Sequence, residues 1–86
     1  MFTIKYRDQV TETDIPALPK TMRLRIQKAI EERLVHDPIA FGKPLRFNMQ
    51  GNRRMRVGDY RVVYRIEVET NTVIINGIRH RKDIYD

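Results

Sequence analysis

The stretch Arg53–Ile66, RRMRVGDYRVVYRI, decides the fold because it contains two strand patterns joined by a tight turn. Gly58 and Asp59 form a two-residue loop of the kind that connects antiparallel strands, which pairs Arg56 with Arg61. Side chains alternate between the two faces of a sheet, so the apolar residues of both strands share one face and the arginines share the other. The apolar face, which is predicted to lie under helices, carries Met55, Val57, Tyr60, Val62, Tyr64 and Ile66, and the free face carries Arg54, Arg56, Arg61 and Arg65.

The rest of the chain predicts two more strands and two helices. Phe2–Arg7 alternates apolar and polar residues, which is the period of a half-buried strand, and Val73–Ile78 is rich in β-branched residues. Asp14 is the predicted N-cap of a short helix that ends near Pro19. The main helix is predicted from Lys20 to Val35, because apolar residues recur there at helical spacing. Its apolar stripe consists of Met22, Ile26, Ala29, Ile30 and Leu34.

This order of elements, β-α-α-β-β-β, predicts an α+β fold. Two helices from the N-terminal half pack on one face of a curved, mainly antiparallel four-stranded sheet and leave the other face free for function. A chain of 86 residues supports one core, so residues 1–86 are expected to form a single domain. The N-terminus has no uninterrupted apolar stretch and the chain has no cysteine. We therefore expect a cytoplasmic protein without membrane association, disulfides or thiolate metal sites.

The charge of the chain indicates an anionic partner. The formal net charge is +6, and the segment from Arg46 to Arg65 contains six arginines but only one acid, Asp59. Arginine binds phosphate through a planar fork and keeps its charge, so this composition favours an anion-binding face over a merely solvated one. Arg56 and Arg61, as direct cross-strand neighbours of like charge, would destabilise the sheet unless an anion lies between them. The alternative is that these side chains extend into water, with Arg65 paired to Glu67.

The C-terminal run Arg79–Asp86, RHRKDIYD, adds groups that are able to transfer protons. Cleavage of RNA needs a group that takes the proton of the 2′-hydroxyl, one that offsets charge on the phosphorane, and one that protonates the leaving 5′-oxygen. Arginines perform the second role, and His80 and Tyr85 are candidates for the others. Tyr85 could instead stack on a base or pack against the sheet, and His80 could be a surface residue between two cations.

Three motifs together resemble the RelE/ParE toxin superfamily, and its RelE branch most closely. They are Gly42-Lys43-Pro44-Leu45, the string from Arg53 to Tyr64 with its RVGDYRVVY core, and the run from Arg79 to Tyr85 with its HRxxxY pattern. The resemblance implies a toxin that cuts messenger RNA in the ribosomal A site through attack of the 2′-hydroxyl, leaves a cyclic phosphate, and needs no metal or other cofactor. It also implies an antitoxin partner that neutralises the toxin.

The resemblance also assigns roles to residues. The basic residues of the family's second strand fall on Arg54 and Arg56, its third-strand arginine on Arg61, its arginine after the fourth strand on Arg79, and its C-terminal tyrosine on Tyr85. Some members have lysines where this chain has Arg54 and Arg56, and arginine is a poor proton acceptor, so a base would have to be His80 or Tyr85. The predicted catalytic residues are Arg61, Arg79, Tyr85 and His80, and the predicted RNA-binding residues are Arg54, Arg56, Arg65, Arg81 and Lys82.

Two other classes of function stay open at this point. A member of the ParE branch would inhibit DNA gyrase by binding and would need no proton-transfer groups. A non-catalytic member would bind nucleic acid or its antitoxin only. Charge alone does not separate binding from cleavage, because both use the same arginines.

Overall fold

Five strands form one sheet in the computed structural model, which describes residues 1–46 and 51–83 of the chain. The strands are β1 (Thr3–Tyr6), β2 (Lys43–Pro44), β3 (Arg53–Val57), β4 (Tyr60–Glu67) and β5 (Thr72–His80). They lie in the order β1-β5-β4-β3-β2, with β1 parallel to β5 and every other pair antiparallel. The predicted α+β class and the mainly antiparallel sheet are confirmed. The predicted strand number was wrong, because the chain around the Gly42-Lys43-Pro44-Leu45 motif adds a two-residue strand beside β3.

One helix of three to four turns packs on the sheet. It begins after Pro19 as α1 (Lys20–Ala29) and continues through Ile30–Leu34 with π-helical hydrogen bonding. This range agrees with the predicted main helix. Before it, Val10–Asp14 forms one π-helical turn, and at the other end of the chain Arg81–Asp83 forms a 3₁₀ turn after β5.

The core lies between this helix and one face of the sheet. The apolar stripe of the helix and the alternation of the strands predicted this arrangement. Ile26, Ile30 and Leu34 of the helix are buried against a cluster that includes Met55 and Tyr64 of the sheet. The register of the β3–β4 hairpin is also the predicted one, with Arg56 opposite Arg61 and Val57 opposite Tyr60. The arginines of this hairpin at positions 54, 56, 61 and 65 therefore lie on the face that the helix does not cover.

The predicted role of Asp14 as a helix N-cap was wrong. Asp14 ends the first helical turn instead of starting a second, and its side chain points to β5, where its Oδ2 accepts a hydrogen bond from the Ile78 amide at 3.1 Å. The strand β1 pairs only with residues Thr72–Ile75 of β5, so the edge of β5 beyond them has no strand neighbour on this side. Asp14 satisfies one of the amides that would otherwise be buried there without a partner.

Candidate nucleic-acid interface

Three arginines form a row across β3, β4 and β5 on the free sheet face, each one residue from the strand end beside the Gly58-Asp59 turn. Arg56 of β3 is the register partner of Arg61 of β4, and Arg61 is the register partner of Arg79 of β5. Cross-strand partners have Cβ atoms about 5 Å apart and point to the same face. Arg56 is exposed, while Arg61 and Arg79 are half-buried. The structure thus brings together the two predicted catalytic arginines and one predicted RNA-binding arginine.

Beside this row the sheet face has a buried floor. Val63 and Gly77 are register partners and lie next to Arg54 on the same face. Val63 is only 7% exposed although it lies on the face opposite the helix, and Gly77 is buried as well. A floor that excludes water lowers the local polarity, so the charges above it act more strongly on a bound anion.

Arg79 is held in place by an ion pair. Its Nη1 donates to Asp14 Oδ2 at 2.7 Å and to the Ile78 carbonyl at 3.3 Å. The Asp14 side chain is 7% exposed, whereas that of Arg79 is 38% exposed. A Cβ atom on Gly77 would lie 3.4 Å from Nη1 and 3.6 Å from Nη2 of Arg79, so the guanidinium lies over the Gly77 backbone. Asp14, Gly77 and Val63 were not among the predicted site residues, and Asp14 is 65 positions from Arg79 in the sequence.

The predicted RNA-binding residues surround the row at different distances. Arg54 lies beside Lys43 at the edge formed by β2. Arg65 is further along β4. It pairs with Glu67 at 3.2 Å, which is the contact expected in the alternative in which these side chains extend into water. Arg81 and Lys82 are exposed in the 3₁₀ turn, and the Arg81 Nε lies 3.8 Å from Asp59 Oδ1.

Arg53, which contributed to the cationic segment of the sequence, has a structural role. It lies on the core face of β3, and its Nη2 donates to the carbonyls of Ile39 and Gly42, each at 2.8 Å. Tyr64, its register partner, donates its hydroxyl to the Pro38 carbonyl at 2.6 Å. These contacts fix the loop between the helix and β2, so the charge of Arg53 does not belong to the free face.

His80 lies on the other side of the sheet from the arginine row. It is the register partner of Tyr60, and the two rings pack edge to face with their centroids 5.0 Å apart. Tyr60 in turn packs against the core. The His80 Nδ1 accepts a hydrogen bond from the Lys82 amide at 3.1 Å, which requires a ring without a proton on that nitrogen. The structure does not bring His80 together with Arg61 and Arg79.

Tyr85, the other predicted proton-transfer residue, lies outside the described residues. Within residues 1–46 and 51–83, no three acidic or histidine side chains converge in a way that suits a metal ion. In the same part of the chain, no helix is both long and apolar enough to span a bilayer. Within the described residues, the site consists of the arginine row, the buried floor of Val63 and Gly77, and Asp14 at the edge of β5.

Comparison with known proteins identifies the family. The family model described as the ParE toxin of the type II toxin–antitoxin system parDE matches residues 4–85. The toxin RelG of Mycobacterium tuberculosis is 33% identical over 84 residues, which is 98% of this chain and 95% of the relative. A chain in the crystal structure of the toxin–antitoxin complex RelBE2 from the same species superposes with a TM-score of 0.86 and 31% identity, covering 93% of this chain and 98% of the other.

The fold extends to archaea. A chain in the crystal structure of the RelB–RelE antitoxin–toxin complex from Methanococcus jannaschii superposes with a TM-score of 0.73 and 26% identity, and the match covers 95% of each chain. The family model and the relatives both span nearly the whole chain. The chain therefore belongs to the RelE/ParE superfamily, as a RelE-family toxin of a type II toxin–antitoxin system.

Proposed function

We propose that this toxin is a metal-independent endoribonuclease that cleaves messenger RNA in the ribosomal A site and is neutralised by a cognate antitoxin. The row of Arg56, Arg61 and Arg79 beside the buried Val63 and Gly77 floor is the observation that carries the proposal. Neighbouring arginines of like charge repel one another, and a phosphate bound between them would offset this repulsion. Such a row suits a reaction in which negative charge increases on the way to the transition state.

The proposed reaction is attack of the ribose 2′-oxygen on the adjacent phosphorus. The bond from phosphorus to the 5′-oxygen of the next nucleotide breaks, which leaves a 2′,3′-cyclic phosphate and a 5′-hydroxyl. Arg61 and Arg79 stabilise the phosphorane, while Arg54, Arg56, Arg65, Arg81 and Lys82 hold flanking phosphates. No metal-bound water is consumed, because the nucleophile belongs to the RNA.

The proton transfers remain for Tyr85 and His80. His80 faces the Tyr60 side of the sheet and its Nδ1 is engaged by the Lys82 amide. Its use as a base would require the ring to leave both contacts, so Tyr85 is the first residue to test. Tyr85→Phe keeps a ring for stacking and removes the hydroxyl. We expect this change to lower cleavage while RNA binding persists.

The decisive experiment uses purified toxin, free of antitoxin and dialysed against a chelator, with ribosomes translating a defined message. We expect cuts within the A-site codon, with a cyclic phosphate at the upstream end. A message with a single 2′-deoxynucleotide at the cut position should resist cleavage there and nowhere else. If no RNA is cut, or if the deoxy message is cut at the same rate, the proposed mechanism is wrong.

The antitoxin is the second proposed partner. Relatives are known in complexes with RelB antitoxins, and a basic RNA-binding face in a cell must be covered when the toxin is inactive. We expect a protein from the neighbouring reading frame to co-purify with the toxin and to prevent the cleavage described above. Absence of such a protein would contradict this part of the proposal.

The description of the matching family model, a ParE toxin, favours one alternative function. A gyrase inhibitor of this kind would reduce DNA supercoiling by purified gyrase and would cut no message. The same toxin preparation should be tested in both assays. Inhibition of gyrase without RNA cleavage would replace the nuclease by this alternative, and binding of RNA with neither activity would indicate a non-catalytic member.

A further inference from the structure

We infer that Asp14 is a positioning residue for Arg79, and that it holds the guanidinium over Gly77 so that the edge formed by Nε and Nη2 faces the bound phosphate. The inference deepens the proposed nuclease function and rests on it. It follows from the ion pair between Arg79 Nη1 and Asp14 Oδ2 at 2.7 Å and from the way in which Asp14 itself is fixed.

Asp14 is a rigid partner because it has little freedom of its own. Its side chain is 7% exposed, and the same oxygen that binds Arg79 also accepts the Ile78 amide at 3.1 Å. The helical turn Val10–Asp14 packs on β5 through the fully buried Val10, which sets the backbone of Asp14 relative to the sheet. A carboxylate fixed from both sides in this way defines the direction of the guanidinium that it binds.

The two described contacts of the Arg79 guanidinium, to Asp14 and to the Ile78 carbonyl, use Nη1. Nε and Nη2 form another edge of the group, and their two parallel N–H donors are able to bind two oxygens of one phosphate. A Cβ atom on Gly77 would be in ordinary van der Waals contact with the Arg79 guanidinium, at 3.4 Å from Nη1, so the group packs close to the Gly77 backbone. Asp14 and Gly77 thus act on Arg79 from two sides.

Asp14 also offsets a repulsion within the row. Arg61 and Arg79 are cross-strand partners, and without an anion between them their guanidinium groups would turn apart. The carboxylate of Asp14 lies at the outer edge of the row and not between the two groups, so it can balance the charge of Arg79 without occupying the place of the phosphate. The guanidinium of Arg79 is therefore in its binding orientation before RNA binds.

Glu67 offers a matched comparison on the same sheet face. It pairs with Arg65 at 3.2 Å, but both side chains are nearly half exposed, at 43% and 45%. Exposed pairs of this kind fix little. Glu67→Gln and Asp14→Asn each remove one negative charge near the basic face, so a difference between them does not come from net charge. Asp14→Asn also keeps an oxygen that is able to accept the Ile78 amide.

The test is a double-mutant cycle measured by single-turnover cleavage of ribosome-bound message. We expect Asp14→Asn to lower the cleavage rate constant about tenfold or more with an apparent Kd for RNA within about threefold of wild type, and Glu67→Gln to change the rate less than about twofold. In an Arg79→Ala background, Asp14→Asn should have almost no further effect. Additive losses, or a loss in Kd alone, would overturn the inference while the nuclease function stood. Thermal unfolding of each variant shows whether the assays were made on folded protein.

A second measurement does not depend on cleavage. The side-chain nitrogen resonances of Arg79, followed by NMR in the free toxin, should show hindered rotation in wild type and in Glu67→Gln, and averaged signals in Asp14→Asn. If the wild type cuts no RNA, the proposed function fails but this comparison still decides whether Asp14 fixes Arg79. Equal signals in wild type and Asp14→Asn would refute the inference.

Discussion

At the scale of single residues, the position and contacts of each arginine separate those that lie on the free sheet face from those that stabilise the fold. Arg61 and Arg79 belong to the arginine row, whereas Arg53 donates to loop carbonyls on the core face. The charge of these side chains does not distinguish them, because all of them are arginines. Parity along the strand distinguishes them, and it was available from the hairpin alone because Gly58 and Asp59 fix the register.

The first prediction concerns Arg61. Loss of one group that stabilises the charged transition state typically costs about 3 kcal/mol, so Arg61→Ala should lower the cleavage rate about a hundredfold or more. Lys28→Ala, which removes an exposed cation from the helix, is the control and should change the rate less than about twofold. Single-turnover cleavage measures both. A loss of similar size in the two variants would mean that net charge, and not the row, supports catalysis.

The second prediction concerns the buried hydroxyl of Tyr64. Tyr64→Phe leaves the buried Pro38 carbonyl without its 2.6 Å donor, so the free energy of unfolding should fall by about 1–3 kcal/mol. Urea denaturation of the two proteins at neutral pH measures this difference. A change below about 0.5 kcal/mol would show that the hydrogen bond contributes little to stability.

The same residue predicts a dependence on pH. Burial raises the pKa of Tyr64 above its ordinary value of 10.0, although the nearby Arg53 acts in the opposite direction. The folded state therefore keeps this proton at a pH where the unfolded chain loses it, and stability is complete below pH 10 and decreases as the pH rises above it. Unfolding measured across this range should show a steeper decrease in wild type than in Tyr64→Phe. Parallel curves would contradict the assignment.

At the scale of elements, the hairpin and the main helix were predictable because each has a strong local period, and the last strand was predictable because it is rich in β-branched residues. The pairing of β1 with β5 was not, since these strands are joined by almost the whole chain and no local pattern specifies a parallel neighbour. Asp14 shows the same limit at the site. Its residue type suits an N-cap, but the unpaired edge of β5 supplies a buried amide and a guanidinium that bind it more strongly than a local helix end would.

The loop before β2 provides the third prediction. A Cβ atom on Gly42 would lie 1.7 Å from the hydroxyl oxygen of Tyr64 and 3.0 Å from the Arg54 carbonyl, and Tyr64 is fully buried and cannot move aside. Gly42→Ala should therefore destabilise the protein by about 3 kcal/mol or more. Gly77→Ala is the matched control, because its Cβ would make only ordinary contacts with Arg79. Urea denaturation should rank the two far apart, and equal stabilities would contradict the packing described for Tyr64.

At the scale of the whole molecule, the fold divides one small chain into a structural face and a charged face. The helix and the core occupy one side of the sheet, and the arginine row occupies the other, so replacing an arginine of the row leaves the apolar side chains of the core in place. Net charge indicated an anionic partner from the sequence, but the place where that charge is concentrated depends on register and on Asp14. The charge of +6 in total is therefore less informative than its distribution.

The last prediction tests that distribution through salt. Binding of single-stranded RNA releases counterions, and each phosphate contact contributes about −0.7 to the slope of log K against log salt. Arg54→Ala and Arg56→Ala should each weaken binding at every salt concentration and reduce the slope by about this amount, because we propose that both residues hold phosphates on the free face. Lys28→Ala changes the net charge equally. Because Lys28 lies exposed on the helix and not on the free sheet face, the salt slope of this variant should match that of wild type. Fluorescence anisotropy with a labelled oligonucleotide measures all four slopes. Equal reductions of the slope in all three variants would mean that RNA binding depends on total charge, and would contradict the proposal that the sheet face is the nucleic-acid interface.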